Sequence, residues 1–408
     1  MLQLGTDRVF WRGGHATLGW GSPIGKLHRE GLRVLTEGLG FQEVARDFDC
    51  CPAFYWSTRR AADFPATGVG LPLIRQLPQA NSGALDDKFR CACLLNAAAF
   101  TESGLAPATY VDLPALRDAL RATPPEDAHE PLYFLKHRLG VKGQAVTPMR
   151  ASAMLEWLTA QRRPSGEFVV QAEVPPALDG EGRKFVMRCH ALVACRAGAM
   201  PAAWLHRDVI ALAHASVYDL RANDKAVHVS QCGRRHPPPV LLEQLPPEHP
   251  AAAPELPARL KHLVARTLAA AAHELIPEPR CSRATLYSVL GLDVALESGS
   301  GQPQLLEVNS YPAVADGTMG QVPTAVYTRL VRDVVALLVH PALETGVEPR
   351  EGGFEQLEDA FAQIARLPAV APAPRVGVDA REESDSSAQV PAVEYKAPHV
   401  EIRRVSSD

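Results

Sequence analysis

The chain has 408 residues, 46% of them apolar and 22% charged, with a formal net charge of −4. This balance fits a globular protein of two or three domains with a large core. It argues against bulk nucleic-acid binding, which needs a strongly basic field, and no apolar run approaches the ~18 residues of a membrane helix. Eight scattered cysteines without a paired CxxC argue against zinc and for a reducing, intracellular setting. The opening MLQLGTDRVFWRGG has neither the basic start nor the apolar core of a signal peptide. Residues 346–408 carry 12 acidic and 7 basic side chains, which leaves the body close to neutral.

In chain order, residues 1–83 read as a small α/β unit. RVFW (8–11) is a strand, a helix opens at Pro23 and stops at Gly38 and Gly40, and FQEVA is a second strand. A Pro/Gly-rich crossing then leads to RQLPQANSG. The second unit, 84–165, starts with a helix in LDDKFRCACLLNAAAF. A strand in APATYVDL and a helix in LPALRDAL follow. The strand LYFL ends in Lys136, just before a segment containing Gly140, Lys142 and Gly143. A helix covers 149–160.

The third unit, 166–345, holds the strands FVVQAEV, RKFVMRCHALVAC and AAWLHRDVIALA, and a short strand AVHVSQCG bearing His228. HPPPVLLEQLPPEHPAAAPELP reads as a surface excursion. A helix spans 257–276, and another spans 318–339. One more helix is expected over 354–365, and the remainder of 346–408 reads as a mostly disordered tail. Cys189, Cys195 and Cys232 read as core thiols.

The most informative stretch is QLLEVNSYP, 304–312. As a strand it places Glu307 and Asn309 on one face, with Leu306 and Val308 pointing into a core. Upstream lies SVLGLDVALE, separated from it by the turn-forming SGSGQP. A hairpin centred near Ser300 sets Asp293 opposite Glu307. Two carboxylates and a carboxamide on one face are hard oxygen donors, suited to Mg²⁺ holding phosphate oxygens. Lys136, at a strand end before a glycine turn, can reach a phosphate. Gln171 lies where an apolar strand breaks, a place that can offer backbone groups to a purine edge. Lys184 and Arg188 share a strand face with Val186 and His190, and two such cations need anionic partners, from a ligand or from the protein. Arg207 and His228 are further basic candidates. GxSxG, GxxxxGK[ST] and HExxH are absent.

Taken in order, these stretches resemble the tubulin–tyrosine ligase-like family of ATP-grasp enzymes over roughly 28–340. LDDKFRCACLL with LAPATYVDL is similar to a lysine-bearing helix before a P-x-T-Y strand. LKHRLGVKGQAV is similar to the lysine–glycine loop K-x-x-x-G-x-K/R-G-x-G-I. VVQAEVPPALDGEGRKFVMRCHALV is similar to VQ-x-Y-I…G-R-K-F-D-x-R, and GLDVALESGSGQPQLLEVNSYPAV is similar to GFD…LLEVN-x-x-P.

The resemblance implies an ATP-grasp fold, two α+β lobes enclosing ATP behind a small α/β N-terminal domain. It also implies roles. Lys136, Lys142 and Lys184 would contact the nucleotide, and Gln171, Ala172, Glu173 and Val174 would frame the adenine. His228 and Ser230 would help hold the nucleotide. Asp293, Glu307 and Asn309 would hold Mg²⁺. Arg188, Glu307 and Lys184 would serve the chemistry, Arg207 would bind phosphate or the amino-acid carboxylate, and Lys88 would serve the acceptor.

Three positions depart from the pattern. Val186 stands where the family has an acid, Ala145 replaces the last glycine of the loop, and Gln231 replaces an asparagine.

The expectation is therefore an ATP- and Mg²⁺-dependent ligase. It would join an amino acid (tyrosine, glutamate or glycine) to a glutamate-rich acceptor such as a tubulin C-terminal tail, through an acyl phosphate. It would be a cytoplasmic, microtubule-associated monomer with no nucleic-acid or membrane partner. The alternatives are a catalytically impaired pseudo-ligase acting as a nucleotide- or tubulin-binding adaptor, and a ligase of small molecules.

Overall fold

A computed structural model describes residues 9–13, 42–44, 54–57, 73–77, 79–122, 130–140, 145–161, 165–195, 201–222, 224–229, 237–276, 284–310, 312, 321–343, 352–358 and 360–361. It is a mixed α/β protein built on two sheets. Chain contacts divide it into a unit of residues 1–368 and a second of 369–408.

The large sheet is organised around two 13-residue strands, β9 (Arg183–Cys195) and β13 (Ala284–Leu296), which pair antiparallel. Each is long enough to serve two partners along one edge. On the free edge of β9, β10 (Ala202–His206) pairs with one half and β11 (Ile210–Val217) with the other. The sequence reading of one strand through AAWLHRDVIALA thus resolves into two, broken at residues 207–209. On β13, β14 (Pro303–Asn309) takes one half and β4 (Leu73–Gln76) the other. Through β4 the sheet continues in parallel into β3 (Phe54–Ser57), β1 (Val9–Gly13) and β2 (Gln42–Val44). The four described strands within residues 1–83 therefore belong to the main sheet. The helix expected from Pro23 lies outside the described residues.

Alternation along β9 sorts its side chains cleanly. Phe185, Met187, Cys189, Ala191 and Val193 face one core, with Leu260, Leu263, Val264 and Leu268 of α6 (Leu256–Ala270). On the other face Leu192 and Ala194 pack with Val326, Leu330 and Val334 of α8 (Gln321–Leu343). Cys189 is fully buried and Cys195 packs at the edge of the first core, while Cys232 lies outside the described residues.

The small antiparallel sheet runs in the order β5 (Thr109–Tyr110), β8 (Phe168–Ala172), β6 (Leu132–His137), β7 (Val146–Arg150). Pro148 sits in edge strand β7, where its missing N–H costs no ladder bond. α3 (Leu113–Ala122) and α4 (Ala151–Ala160) cover one face, with Leu116, Leu120, Met154 and Leu158 against Tyr133, Leu135 and Val170.

Several elements differ from the sequence reading. RQLPQANSG becomes β4 followed by α1 (Gln79–Asp86), and a second helix, α2 (Lys88–Ala97), restarts after Asp87. The break is a cap: the Asp87 carboxylate accepts the N–H groups of Phe89 and Arg90. AVHVSQCG holds a helical turn, α5 (Lys225–His228), capped by Asp224 on the Ala226 N–H. The proline-rich excursion is partly core, with Leu241, Ala251 and Leu256 buried and the His249 ring 4.7 Å from that of Phe185. The helix expected over 354–365 is instead β15 (Phe354–Gln356), paired with β10, and Phe354, Leu357, Ala360 and Phe361 are buried. Packed chain thus extends to Phe361. Among the described residues, no helix is long and apolar enough to cross a membrane.

Candidate functional site

A cavity opens between the two sheets. Its walls include Lys136, Gln171, Ala172, Glu173 and Val174 on one side and Lys184, Asp293, Glu307 and Asn309 on the other. Lys88 and His228 also line it, as do Asp86, Phe134 and Val186. Lys142 and Ser230 lie outside the described residues. Arg207 is placed elsewhere: its side chain is 65% exposed, beside Asp208, and its backbone N–H donates to Gly353 O.

The hairpin builds the acidic wall. Asp293 pairs with Glu307 and Gly291 with Asn309, so the two carboxylates face each other at neighbouring positions. One residue further the register slips, because Val294 pairs with Leu305. Leu306 is the extra residue of a β-bulge. It lines the cavity rather than the core, which corrects the expectation for that side chain, whereas Val308 is buried in the core as expected. The bulge also turns the Leu306 carbonyl toward the small sheet, where it lies 3.4 Å from both Lys136 Nζ and Gln171 Nε2.

Behind this wall, Arg188 clamps Asp293. Its Nε donates to Oδ1 and its Nη2 to Oδ2 at 2.9 Å, with both side chains buried. The pair follows from register, since Asp293 lies directly opposite Arg188 across the β9–β13 ladder. Arg188 does not line the cavity; it acts there through Asp293. Burial, reinforced by Glu307 and opposed by Arg188, raises Asp293 to about 6. For Glu307 burial works in the same direction, but Lys136 and Lys88 outweigh it and hold the carboxyl below its usual value. Lys88 Nζ stands 4.0 Å from Glu307 and donates to Gly140 O at 2.6 Å.

A second cluster in the cavity wall centres on Lys184. Lys184 Nζ donates to the Glu173 carboxylate and, at 3.1 Å, to His228 Nδ1. The tautomer is fixed because His228 Nε2 donates to the Ala222 carbonyl at 2.8 Å, leaving Nδ1 bare. Burial first, then Lys184, lowers the His228 pKa and keeps the ring neutral. The Lys184 ammonium also sits 4.6 Å from the Tyr218 ring centre and 5.7 Å from that of Phe134. Tyr218 donates to the other Glu173 oxygen at 3.3 Å. The Gln171 side chain is engaged by Lys136 and Thr109.

Three residues were not singled out from the sequence. Asp86 enters the cavity beside Lys88, and burial raises its pKa while Lys88 and Ser310 oppose that. Its signal was its place two residues before Lys88. Tyr218 has no local signal, because it reaches Glu173 only through tertiary packing. Thr109 lies in the P-x-T-Y stretch, where its chemistry was legible but its partner was not.

The donor set fits a divalent cation. Asp293 and Glu307 oppose each other with like charge, a repulsion that a cation relieves. Asn309 lines the same cavity and carries an amide oxygen as a third hard donor, and its Nδ2 is buried without a partner among the described residues. Among the described residues, no group of three or more His, Cys, Asp or Glu side chains is arranged to hold a metal, so such a site depends on the carboxamide of Asn309.

No protein-family model and no curated protein matches the chain.

Proposed function

We propose that this chain is an ATP-dependent ligase of ATP-grasp architecture, similar to the tubulin–tyrosine ligases. The observation that carries this reading is the hairpin face of Asp293, Glu307 and Asn309, which shares one cavity with Lys136, Lys184 and Lys88. The bulge in β14 and the small antiparallel sheet above it support the same reading.

Asp293, Glu307 and Asn309 would hold Mg²⁺, which neutralises and orients phosphate oxygens. Lys136 and Lys88, next to Glu307, are placed to stabilise charge that builds on a transferring phosphoryl group. Ala172, Glu173, Val174 and Lys184 line the same cavity, and a nucleobase would sit against them. The acceptor carboxylate oxygen attacks the γ-phosphorus and the bond to ADP breaks. The donor amine then attacks the acyl carbon and phosphate leaves with its electron pair, while the amine proton passes to solvent or a cavity base. The acceptor implied by the sequence resemblance is an acidic protein tail like that of tubulin, and the donor is tyrosine, glutamate or glycine.

A second reading, a nucleotide- or tail-binding adaptor without turnover, is favoured by Val186 in the cavity wall. It also draws on the engagement of Arg188 by Asp293 and of Lys184 by Glu173. The test is Mg²⁺-ATP binding and hydrolysis alongside incorporation of each labelled amino acid into purified tubulin. A ligase incorporates one donor, and Glu307→Gln lowers turnover by at least ~100-fold without unfolding the protein. An adaptor binds Mg²⁺-ATP or tubulin, incorporates nothing, and keeps its partner affinity in Glu307→Gln. A chain that binds neither excludes both.

A further inference from the structure

Lys136 is almost fully buried, and the hydrogen bonds around it have only one consistent direction. Its Nζ donates to Gln171 Oε1 at 2.6 Å. Gln171 Nε2 meets Thr109 Oγ1 at 3.1 Å and Leu306 O at 3.4 Å. Thr109 Oγ1 lies 3.0 Å from the Pro107 carbonyl. A carbonyl only accepts, so the hydroxyl proton of Thr109 goes to Pro107 and the hydroxyl oxygen presents a lone pair to Gln171. The Leu306 carbonyl makes the same demand. Gln171 must turn its NH₂ toward both, which leaves Oε1 for the lysine. With the amide reversed, oxygen would face oxygen at Thr109 and Leu306, and NH₂ would face an ammonium.

The burial of Lys136 makes this orientation consequential. Desolvation lowers the lysine's pKa, and the charge of Glu307 opposes that. An oriented carbonyl on Nζ favours the charged form. The chain of bonds crosses three strands of the small sheet and ends on the bulge of β14, one residue from Glu307. Thr109 is not part of the cavity wall.

We propose that Thr109 is a positioning residue: its hydroxyl lone pair joins the Leu306 carbonyl in fixing the direction of the Gln171 amide, and so steadies the Lys136 ammonium against the β14 bulge beside Glu307. The orientation itself does not rest on the ligase reading; its consequence for nucleotide affinity does.

The experiment uses the full chain and four variants: Thr109→Val, which keeps shape and loses the hydroxyl; Thr109→Ser, which keeps the hydroxyl; Gln171→Glu; and the double variant Thr109→Val/Gln171→Glu. Acetylation of Lys136 by limiting acetic anhydride is followed by peptide mass spectrometry against pH, and Mg²⁺-ATP affinity is measured by calorimetry. Thr109→Val should shift the labelling midpoint to lower pH and speed labelling at pH 7 about fivefold. It should weaken Mg²⁺-ATP about tenfold, and Thr109→Ser should restore both. Gln171→Glu should slow labelling, and adding Thr109→Val to it should change nothing more, because a carboxylate has no NH₂ end to misdirect.

Unchanged labelling in Thr109→Val, a Thr109→Ser that behaves like Thr109→Val, or a Thr109→Val effect that persists beside Gln171→Glu would each overturn the proposal. If Thr109→Val fails to fold, the Thr109→Ser and Gln171→Glu profiles still decide it: Ser must match the parent and Glu must slow labelling. If the parent binds no Mg²⁺-ATP but the labelling pattern holds, the nucleotide reading falls and the positioning role stands.

Discussion

Arg188 and Asp293 show how much a single register decides. Each is buried, and each satisfies the other with two hydrogen bonds. Removing one partner leaves a buried charge uncompensated, which costs about 3–5 kcal/mol. Asp293→Ala should therefore lower unfolding stability in urea by that amount, and adding Arg188→Met should recover most of the loss. A ligand-binding pair open to solvent would give a loss under ~1 kcal/mol in the single variant. The opposition of Asp293 and Glu307 was legible in the sequence from a short turn centred near Ser300, although the chain reaches it through the Leu306 bulge rather than by strict alternation. The Arg188 partnership was not, because β9 and β13 lie about a hundred residues apart and no local rule sets their register. The same holds for Lys184, whose face was readable but whose partners Glu173, His228 and Tyr218 come from three other segments.

Elements were read best where periodicity was strong and worst where a cap or an edge decided. RKFVMRCHALVAC was read as one long strand and is one, since both of its faces are buried. The turn at Lys225–His228 was read as a strand from VHV, yet Asp224 caps it and overrides that preference. β15 reads as helix by composition but is a strand because β10 offers it an open edge. Its approach is set by Gly352, with φ of 55°, and Gly353, whose N–H donates to Asp333 Oδ2 at 2.9 Å. His206 Nε2 donates to the same oxygen at 3.1 Å. A Cβ on Gly352 would fall 2.3 Å from Asp333 Oδ1. Gly352→Ala should cost about 1–3 kcal/mol, combining left-handed strain with this clash, and should loosen β15. Thermal denaturation, with hydrogen exchange across 352–358, checks both.

At the scale of the molecule, buried histidines set the acid limit. His190 is completely buried, and both of its ring nitrogens lack partners among the described residues. Its pKa lies well below 6.5, chiefly through burial, with Arg188 and His206 adding repulsion. His228 and His249 are lowered as well, burial leading in both. A histidine with a depressed folded pKa contributes its full stability above the unfolded value of about 6.5 and loses it as pH falls, because only the unfolded chain takes the proton. Stability should therefore decline below pH 6.5. His190→Phe should flatten that decline by up to ~1.4 kcal/mol per pH unit, as measured by denaturation at pH 7 and pH 5. A slope unchanged in His190→Phe would show that this ring is not the source.

The sequence by itself determined the mixed α/β character, the long strands, the hairpin that opposes Asp293 and Glu307, and the shared face of Lys184 and Arg188. Each of these rests on alternation or on a turn within some fifteen residues. Tertiary structure decided which cation meets which anion, that Leu306 bulges into the cavity, that Thr109 meets Gln171, and that Phe354, Leu357, Ala360 and Phe361 belong to the core. Those outcomes depend on which strands become neighbours across long sequence separations. That choice is set by the burial of whole faces rather than by any local pattern.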